Sequence, residues 1–176
     1  MKRSIRILIS VVAAVVVIAV MTGCNIESVK DHYSPDEDLA PEIGKVKLSI
    51  DCSSVFEEEN YANLDEALKK SGVLPEDGRI FPETEVALRE GDTLFDILYR
   101  IVREKQIQFE YHGNLQSASD SVYVKSIGHL SEFACGEMSG WGYTVNGEMV
   151  MAGCTEYQPK DGDVIAWSYV CTWDFS

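Results

Sequence analysis

The sequence predicts an α+β fold in which one main helix packs on a mixed sheet. Between residues 94 and 102 the apolar side chains recur at the three- and four-residue spacing of a single helix face. Elsewhere apolar and polar residues alternate with the period of strands, and Asn146-Gly147 between two such segments is a strong hairpin signal. One long helix among many strands is typical of an α+β protein.

The individual elements follow from local patterns along the chain. Residues 56–70 carry a short helical pattern, and Thr93 and Asp96 are spaced as a capping box at the start of the main helix. The first strand is the clearest, because its apolar residues alternate with polar ones and so define one buried face. Strands and extended segments are predicted at 46–52, 79–81, 86–88, 107–111, 122–127, 141–145, 148–152 and 163–173.

The N-terminus has the three parts of an export signal. Basic residues open the chain, residues 7–20 are apolar, and small residues then lead to Cys24. This order resembles the signal of bacterial lipoproteins, in which the cysteine is lipidated and becomes the first residue of the mature chain. The resemblance implies a signal peptide at 1–23 and a lipid on Cys24 that anchors the protein to the extracytoplasmic face of the cell membrane.

One position departs from the lipoprotein pattern. Met21 stands where that family mostly has Leu, so an ordinary signal peptide or an uncleaved anchor is the alternative. A spanning helix is the less favoured of these, because the uncharged run from Ile7 to Met21 is shorter than the roughly 20 residues that cross a bilayer.

The region after the signal divides into a tether and one domain. Residues 24–44 are acidic, contain two prolines and lack any hydrophobic period, which predicts a flexible tether. Residues 45–176 are long enough to bury the core of a single domain.

The charge of the chain excludes one class of partner. Removal of the leader takes away three of the 15 basic residues, so that 12 face 29 acidic ones and the formal charge changes from −14 to −17. Such a surface repels nucleic acid, and partners should be neutral or cationic, or should bind at a local site.

Four cysteines remain after Cys24, which is an even number in a chain expected to be exported. Cys52, Cys135, Cys154 and Cys171 therefore predict two disulfides, with buried free thiols as the alternative. No Cys-x-x-Cys motif occurs, so neither a redox motif nor a zinc site is indicated.

The best candidate for a binding surface is the strand at 141–145. Trp141 and Tyr143 share one side of it, whereas Gly140 and Gly142 leave the backbone of the other side bare. We expect these four residues, with Asn146 at the end of the strand, to contact a ligand ring or a peptide. The alternatives are that the main helix covers the glycines or that Trp141 belongs to the core.

No set of residues indicates catalysis or a resident metal or cofactor. His112 and His129 are not spaced against a second ligand in a metal pattern, and Ser139 falls one place late for a nucleophile elbow. A triad of Ser139, His129 and an acid has no support beyond composition. We therefore expect that the protein is not an enzyme.

Four stretches resemble a known bacterial family when they are taken together and in order. They are residues 91–98, 126–133, 139–147 and 161–169, and the most specific is GWGYTVNG at 140–147. The chain resembles the bacterial domain of unknown function named for its likeness to the C-terminal domain of transcobalamin and intrinsic factor. The resemblance implies a β-grasp-like fold of the soluble-ligand-binding type over residues 46–171.

The same resemblance implies a cysteine pairing and a ligand. The first and last strands of a β-grasp sheet are parallel neighbours, which implies Cys52 with Cys171 and leaves Cys135 with Cys154. In the vitamin carriers a corrinoid lies between this small domain and a helical barrel that has no counterpart in this sequence. A corrinoid would therefore have to be shared with a partner protein.

These observations predict a lipid-anchored, non-enzymatic module that binds a small soluble ligand. The first alternative is a cell-surface interaction or adhesion module without a small ligand, which would present a sheet edge that can pair with a partner strand. The second alternative is an uncharacterised hydrolase, which would present a perturbed acid, base or nucleophile in a cleft.

Overall fold

The structure is a computed structural model that describes residues 40–113 and 122–172. It contains two sheets, with orders β2-β1-β8-β6-β7 and β3-β4-β5. The strands are β1 (Glu42–Asp51), β2 (Arg79–Arg89), β3 (Phe109–His112), β4 (Tyr123–Ile127), β5 (Leu130–Ser131), β6 (Gly140–Val145), β7 (Glu148–Met149) and β8 (Val164–Val170). The helices are α1 (Glu58–Asn63), α2 (Glu66–Ser71) and α3 (Leu94–Glu104), with a short 3-10 helix at Ser53–Phe56.

The five-stranded sheet is mixed, as the sequence predicts. β1 runs parallel to β8, with Leu48 opposite Ile165 and Ile50 opposite Trp167, whereas its pairing with β2 is antiparallel. The alternation of β1 buries Val46, Leu48 and Ile50, which are at most 1% exposed. The α+β class and the parallel first and last long strands are therefore confirmed.

The main helix begins at its predicted capping box. The Thr93 hydroxyl accepts from the Asp96 N–H at 3.2 Å, and the Asp96 carboxylate accepts from the Thr93 N–H at 2.9 Å. These two bonds satisfy N–H groups that have no partner within the helix. The apolar face of α3 joins the core of the five-stranded sheet through Leu94, Phe95, Ile97, Leu98, Ile101 and Val102.

A partly buried ion pair ties α3 to β2 and to the turn between them. Arg100 donates to both carboxylate oxygens of Asp92, at 3.0 and 2.8 Å, and also to the Ala87 carbonyl at 2.8 Å. The Asp92 carboxylate also accepts from the Arg89 N–H at 2.8 Å. A paired and hydrogen-bonded carboxylate at this turn explains why an acid follows Gly91, whose φ is +82°.

Several predicted elements have different bounds. The helix predicted at 56–70 is broken into the 3-10 helix, α1 and α2, because Leu64 is extended and Asp65 caps α2. The two extended segments predicted at 79–81 and 86–88 are one strand, β2. The later strands divide into two sheets, whereas the sequence predicted one.

The boundary predicted between tether and domain lies inside a strand. β1 begins at Glu42, three residues before the predicted start of the domain at 45. The signal peptide, Cys24 and the tether up to residue 39 lie outside the described residues. Within the described part of the chain, no helix is long and apolar enough to cross a membrane.

The prediction of two disulfides is not supported. Cys52, Cys135, Cys154 and Cys171 are all buried free thiols. Although β1 and β8 are parallel neighbours, their register places Asp51 opposite Ser168. Cys52 lies one residue beyond this pair and Cys171 lies three residues beyond it, so the two cysteines are not opposite each other. The pairing of Cys135 with Cys154 also fails, because the Cys135 sulfur faces the Asn60 carbonyl and that of Cys154 faces the Val122 carbonyl.

Candidate functional site

The predicted aromatic strand is β6, and its rings face the core. β6 pairs with β8 so that Trp141 lies opposite Tyr169 and Tyr143 opposite Trp167. The ring centroids are 5.3 and 4.8 Å apart in these two pairs. We call these four residues the aromatic core, in which Trp141 is 6% exposed and Trp167 and Tyr169 are each 1% exposed.

Three of the four polar ends of the aromatic core are bonded within the protein, whereas the Trp167 indole N–H is buried without a hydrogen-bond partner. The Trp141 indole N–H donates to the Leu130 carbonyl at 2.8 Å, and the Tyr143 hydroxyl donates to the Ala152 carbonyl. The Tyr169 hydroxyl donates to the Ser131 carbonyl at 2.8 Å. Burial raises the pKa of Tyr143 and of Tyr169 to about 12, so both hydroxyls stay protonated over the neutral range. Trp141 therefore belongs to the core, which was the alternative to its predicted contact with a ligand.

The glycines of β6 lie on the opposite face, but only one of them is accessible. Gly142 is half-buried and pairs with Ser168, whereas Gly140 is buried, and a Cβ on it would lie 3.3 Å from the Tyr123 hydroxyl. The Asn146 side chain is engaged in its turn, because it donates to Asp163 at 2.8 Å and accepts from the Val164 N–H at 2.9 Å. Ligand contact at these residues stays a prediction.

A cavity lies elsewhere, between the C-terminal half of α3 and β3. Its volume is about 550 Å³. We call it the aromatic cavity because three half-buried rings line it, and sequence reasoning did not identify it. Its lining consists of Tyr99, Val102, Arg103, Gln106, Ile107, Gln108, Phe109, Tyr111 and His129.

The three rings stand at angles to one another over a buried floor. The Phe109 centroid is 6.2 Å from that of Tyr99 and 5.8 Å from that of Tyr111. Phe95 of α3 contacts all three rings and is 1% exposed. Such rings offer faces and edges to an apolar or aromatic molecule without any rearrangement of the core.

The polar groups of the aromatic cavity carry no negative charge. The Gln108 side-chain oxygen accepts from the Ser126 hydroxyl at 3.0 Å and from the His129 N–H at 2.8 Å, which holds the amide in one orientation. The Arg103 guanidinium lies 5.5 Å above the Tyr99 ring, in cation–π contact. No acidic side chain lines the cavity, although the chain contains 29 of them.

Two lining residues owe their position to a left-handed backbone. Gln106 has φ +55° just after α3, and His129 has φ +69° in the two-residue turn between β4 and β5. A non-glycine residue with positive φ is uncommon, and both positions belong to tight reversals of the chain. Gln106, His129 and their neighbours Ile107 and Gln108 also line an adjoining cavity of about 340 Å³.

Ser139 and His129 are not hydrogen-bonded to each other, as a catalytic triad would require. The Ser139 hydroxyl donates to the Gly136 carbonyl at 2.8 Å, accepts from the Cys135 N–H at 3.0 Å and lies 3.0 Å from the Tyr169 hydroxyl. Ser139 is 2% exposed, whereas His129 lines the aromatic cavity. Among the described residues, no group of three His, Cys, Asp or Glu side chains could hold a metal ion.

Comparison with known proteins finds a similar family for the second half of the chain. Residues 91–170 match a family model described as "Domain of unknown function (DUF4430)". The matched residues lie within residues 46–171, over which the sequence resembles a bacterial domain of unknown function. No curated protein sequence matches the chain.

Among solved structures, the crystal structure of haptocorrin in complex with Cbi is similar to this chain. The TM-score is 0.47 and the sequence identity is 12%. The similarity covers 72% of this chain but only 25% of haptocorrin, so the chain corresponds to about a quarter of that protein's length.

Proposed function

We propose that this domain is a non-enzymatic module that binds a small, flat, soluble ligand in the aromatic cavity. The observation that carries the proposal is the set of three half-buried rings, Tyr99, Phe109 and Tyr111, around a cavity of about 550 Å³. A volume of this size suits a small ligand. The five-stranded mixed sheet shares its core with α3, and α3 supplies one wall of the aromatic cavity.

The charges at the aromatic cavity favour a neutral or anionic ligand. Arg103 and His129 are the ionisable side chains of its lining other than the two tyrosines, and Arg79 adds a third basic group at the adjoining cavity. A local site without carboxylates would offset the repulsion that an anion meets from a surface with formal charge −14. The proposed ligand therefore has a planar apolar part and a neutral or acidic edge.

An interaction module that adds a partner strand has less support from the sheet edges. β2 is the long edge strand of the five-stranded sheet, and it contains Pro82 with Glu83 and Glu85 close by. Proline and charged residues on an edge strand prevent pairing with another chain.

The binding proposal is tested by thermal shift of the full-length protein in detergent against corrinoids, haem, sugars and short peptides. A ligand that binds the folded state raises Tm by mass action. Tyr99→Ala should weaken binding of the responding compound by roughly 30-fold, which corresponds to about 2 kcal/mol.

Tyr61→Ala is a matched control for this variant. Tyr61 stacks on Phe56 at 6.3 Å and lies 5.3 Å below the Lys69 ammonium, much as Tyr99 stacks on Phe95 at 5.6 Å below Arg103. It lies outside the aromatic cavity, so its loss should leave affinity unchanged. Equal losses of affinity in the two variants, or no response to any compound, would contradict the proposal.

We further propose that the module is held at the extracytoplasmic face of the membrane by lipid on Cys24. The support is the order of basic, apolar and small residues before that cysteine. Globomycin should cause the precursor to accumulate, and Cys24→Ala should do the same or release the protein. Normal processing and membrane retention of the Cys24→Ala protein would rule out the lipid anchor.

A further inference from the structure

Polar side chains form a row on the face of the five-stranded sheet that is opposite the core. The residues between the core positions of β1 and β8 lie on this face, and the parallel pairing places Ser49 beside Ala166 and Asp51 beside Ser168. The antiparallel pairing of β1 with β2 places Arg79 opposite Asp51. Arg79, Asp51 and Ser168 therefore lie in one row across three neighbouring strands, which are about 4.8 Å apart.

A cavity of about 450 Å³ lies at this row, and we call it the outer cavity. Ser49 adds a second hydroxyl to its lining, and Phe81 and Pro82 of β2 supply an apolar side. The pairing of β1 with β2 is irregular on either side of the Ile50–Phe81 pair, and such irregularities bend a strand and re-aim its side chains. The outer cavity shares no lining residue with the aromatic cavity.

The polar groups of the outer cavity are available to a ligand. Within residues 40–113 and 122–172, the Ser49 and Ser168 hydroxyls and the Arg79 guanidinium have no hydrogen-bond or ion-pair partner. The Asp51 carboxylate is held in place because one of its oxygens accepts from both the N–H and the hydroxyl of Ser53. Its other oxygen is left to accept from a bound molecule.

The charges around the outer cavity balance each other. Asp51 is negative and Arg79 is positive, and both line the cavity. The Glu83 carboxylate at the same cavity lies 3.1 Å from the Lys47 ammonium, which offsets its charge. A carboxylate only accepts hydrogen bonds, a guanidinium only donates them, and a serine hydroxyl does both. The complementary ligand is therefore neutral and has several groups that both donate and accept.

We propose that the outer cavity binds a neutral saccharide. The hydroxyl groups of a sugar ring both donate and accept, so they match Asp51, Arg79 and the two serines at once. The C–H face of the ring packs on the apolar side formed by Phe81 and Pro82. The volume of about 450 Å³ lies within the range of roughly 300–1,000 Å³ that is typical of small-molecule sites. This inference depends neither on the ligand of the aromatic cavity nor on lipidation.

The test is saturation-transfer NMR of the full-length protein with glucose, N-acetylglucosamine, cellobiose and maltose, in a detergent without a sugar headgroup. Free alanine, a zwitterion, and gluconate, an anion, are measured in parallel. We expect saturation transfer to at least one saccharide, and weaker or no transfer to alanine and gluconate. Transfer to none of the saccharides, or a stronger response to alanine or gluconate, would overturn the proposal.

Two variants of the row test where the responding saccharide binds. Asp51→Asn keeps an oxygen that accepts from Ser53 and replaces the other oxygen by a donor, so it should weaken binding roughly 10-fold or more. Ser168→Ala removes a hydroxyl that has no partner in the described part of the chain, and should weaken binding roughly 3-fold or more. Ser168→Ala also decides the matter if Asp51→Asn does not fold. Wild-type affinity in the folded variants would contradict the proposal.

Thr144→Val is the matched control for loss of a hydroxyl. Thr144 pairs with Ala166, so it lies on the same face of the sheet, and it is half-buried like Ser168 but does not line the outer cavity. This variant should bind the saccharide as wild type does, and a loss equal to that of Ser168→Ala would contradict the assignment. Tyr99→Ala should also leave saccharide affinity unchanged. Loss of saccharide binding in Tyr99→Ala but not in Asp51→Asn would instead locate the saccharide in the aromatic cavity.

Discussion

The aromatic core and the aromatic cavity use similar side chains for different purposes. In the aromatic core, Trp141 and Tyr169 are nearly inaccessible, and their polar atoms are bonded to backbone carbonyls. In the aromatic cavity, Tyr99, Phe109 and Tyr111 are half-buried and leave a space of about 550 Å³ beside them. The difference shows that an aromatic motif with a specific sequence pattern can serve packing, while accessible rings beside a cavity lie at less conspicuous positions.

The largest expected effect is the loss of stability on truncation of the aromatic core. Trp141→Ala removes a buried ring and leaves the Leu130 carbonyl without its donor. We expect the free energy of unfolding to fall by about 3–5 kcal/mol in urea denaturation.

Phe133→Ala provides the control, since Phe133 is 59% exposed and its loss should change stability by no more than about 0.5 kcal/mol. If the Trp141→Ala protein were as stable as wild type but no longer bound the ligand, Trp141 would be a binding residue, as the sequence pattern first indicated.

The same chemical change in each region should have unequal consequences. Tyr169→Phe removes the hydroxyl to which the Ser131 carbonyl, the Ala134 N–H and the Ser139 hydroxyl are bonded. We expect the free energy of unfolding to fall by about 1–3 kcal/mol. Tyr111 has no hydrogen-bond partner for its hydroxyl among the described residues, so Tyr111→Phe should lower the free energy of unfolding by less than about 0.5 kcal/mol. Urea denaturation of the two variants measures the difference, and equal costs would show that the two regions are not distinct in this way.

Much of the fold could be predicted because its signals are local. Thr93 and Asp96 form the capping box within one helical turn, and Asn146 and Gly147 adopt the positive φ values, +54° and +82°, that their turn requires. The alternation of β1 likewise depends on neighbouring residues alone. In each case the residues that make the structure are close in sequence, so the pattern contains the required information.

The aromatic cavity could not be predicted in this way. Its walls come from α3, β3 and the β4–β5 turn, and only the packing of α3 against β3 brings Tyr99 and Phe109 together. The available signal was the alternation of Phe109 and Tyr111 on a short strand, which alone fits a core equally well. The cysteine pairing failed for a similar reason, because the register of β1 and β8 is a tertiary property.

Ionisation of buried tyrosine and cysteine side chains at alkaline pH should lower the stability of the protein. Burial raises the pKa of Tyr143 and Tyr169 from 10.0 to about 12, and burial likewise raises that of Cys52 from 9.0 to about 12. An acid whose pKa is higher in the folded state stabilises the fold below its unfolded pKa and loses that contribution as pH rises through its folded pKa. Stability should therefore decline from about pH 9 to about pH 12.

Thermal melts across this range test the sign of the effect and one of its sources. Tyr169→Phe should make the decline between pH 10 and 12 shallower, because one of the groups with a raised pKa is gone. A melting temperature that rises with pH in this range, or a variant with the wild-type slope, would show that these hydroxyls do not control the alkaline limit.

The smallest effect on stability is expected at the edge of the aromatic cavity. His129 has φ +69° after Gly128 at φ +60°, and asparagine tolerates this left-handed conformation well. His129→Asn should therefore keep the β4–β5 turn and change the free energy of unfolding by no more than about 0.5 kcal/mol. It removes the imidazole from the cavity lining, so the affinity for an anionic ligand should fall. Binding of the responding compound to wild type and variant, measured by calorimetric titration, checks this. If His129→Asn left the affinity unchanged, the imidazole would not contact the ligand, and the basic character of the aromatic cavity would rest on Arg103.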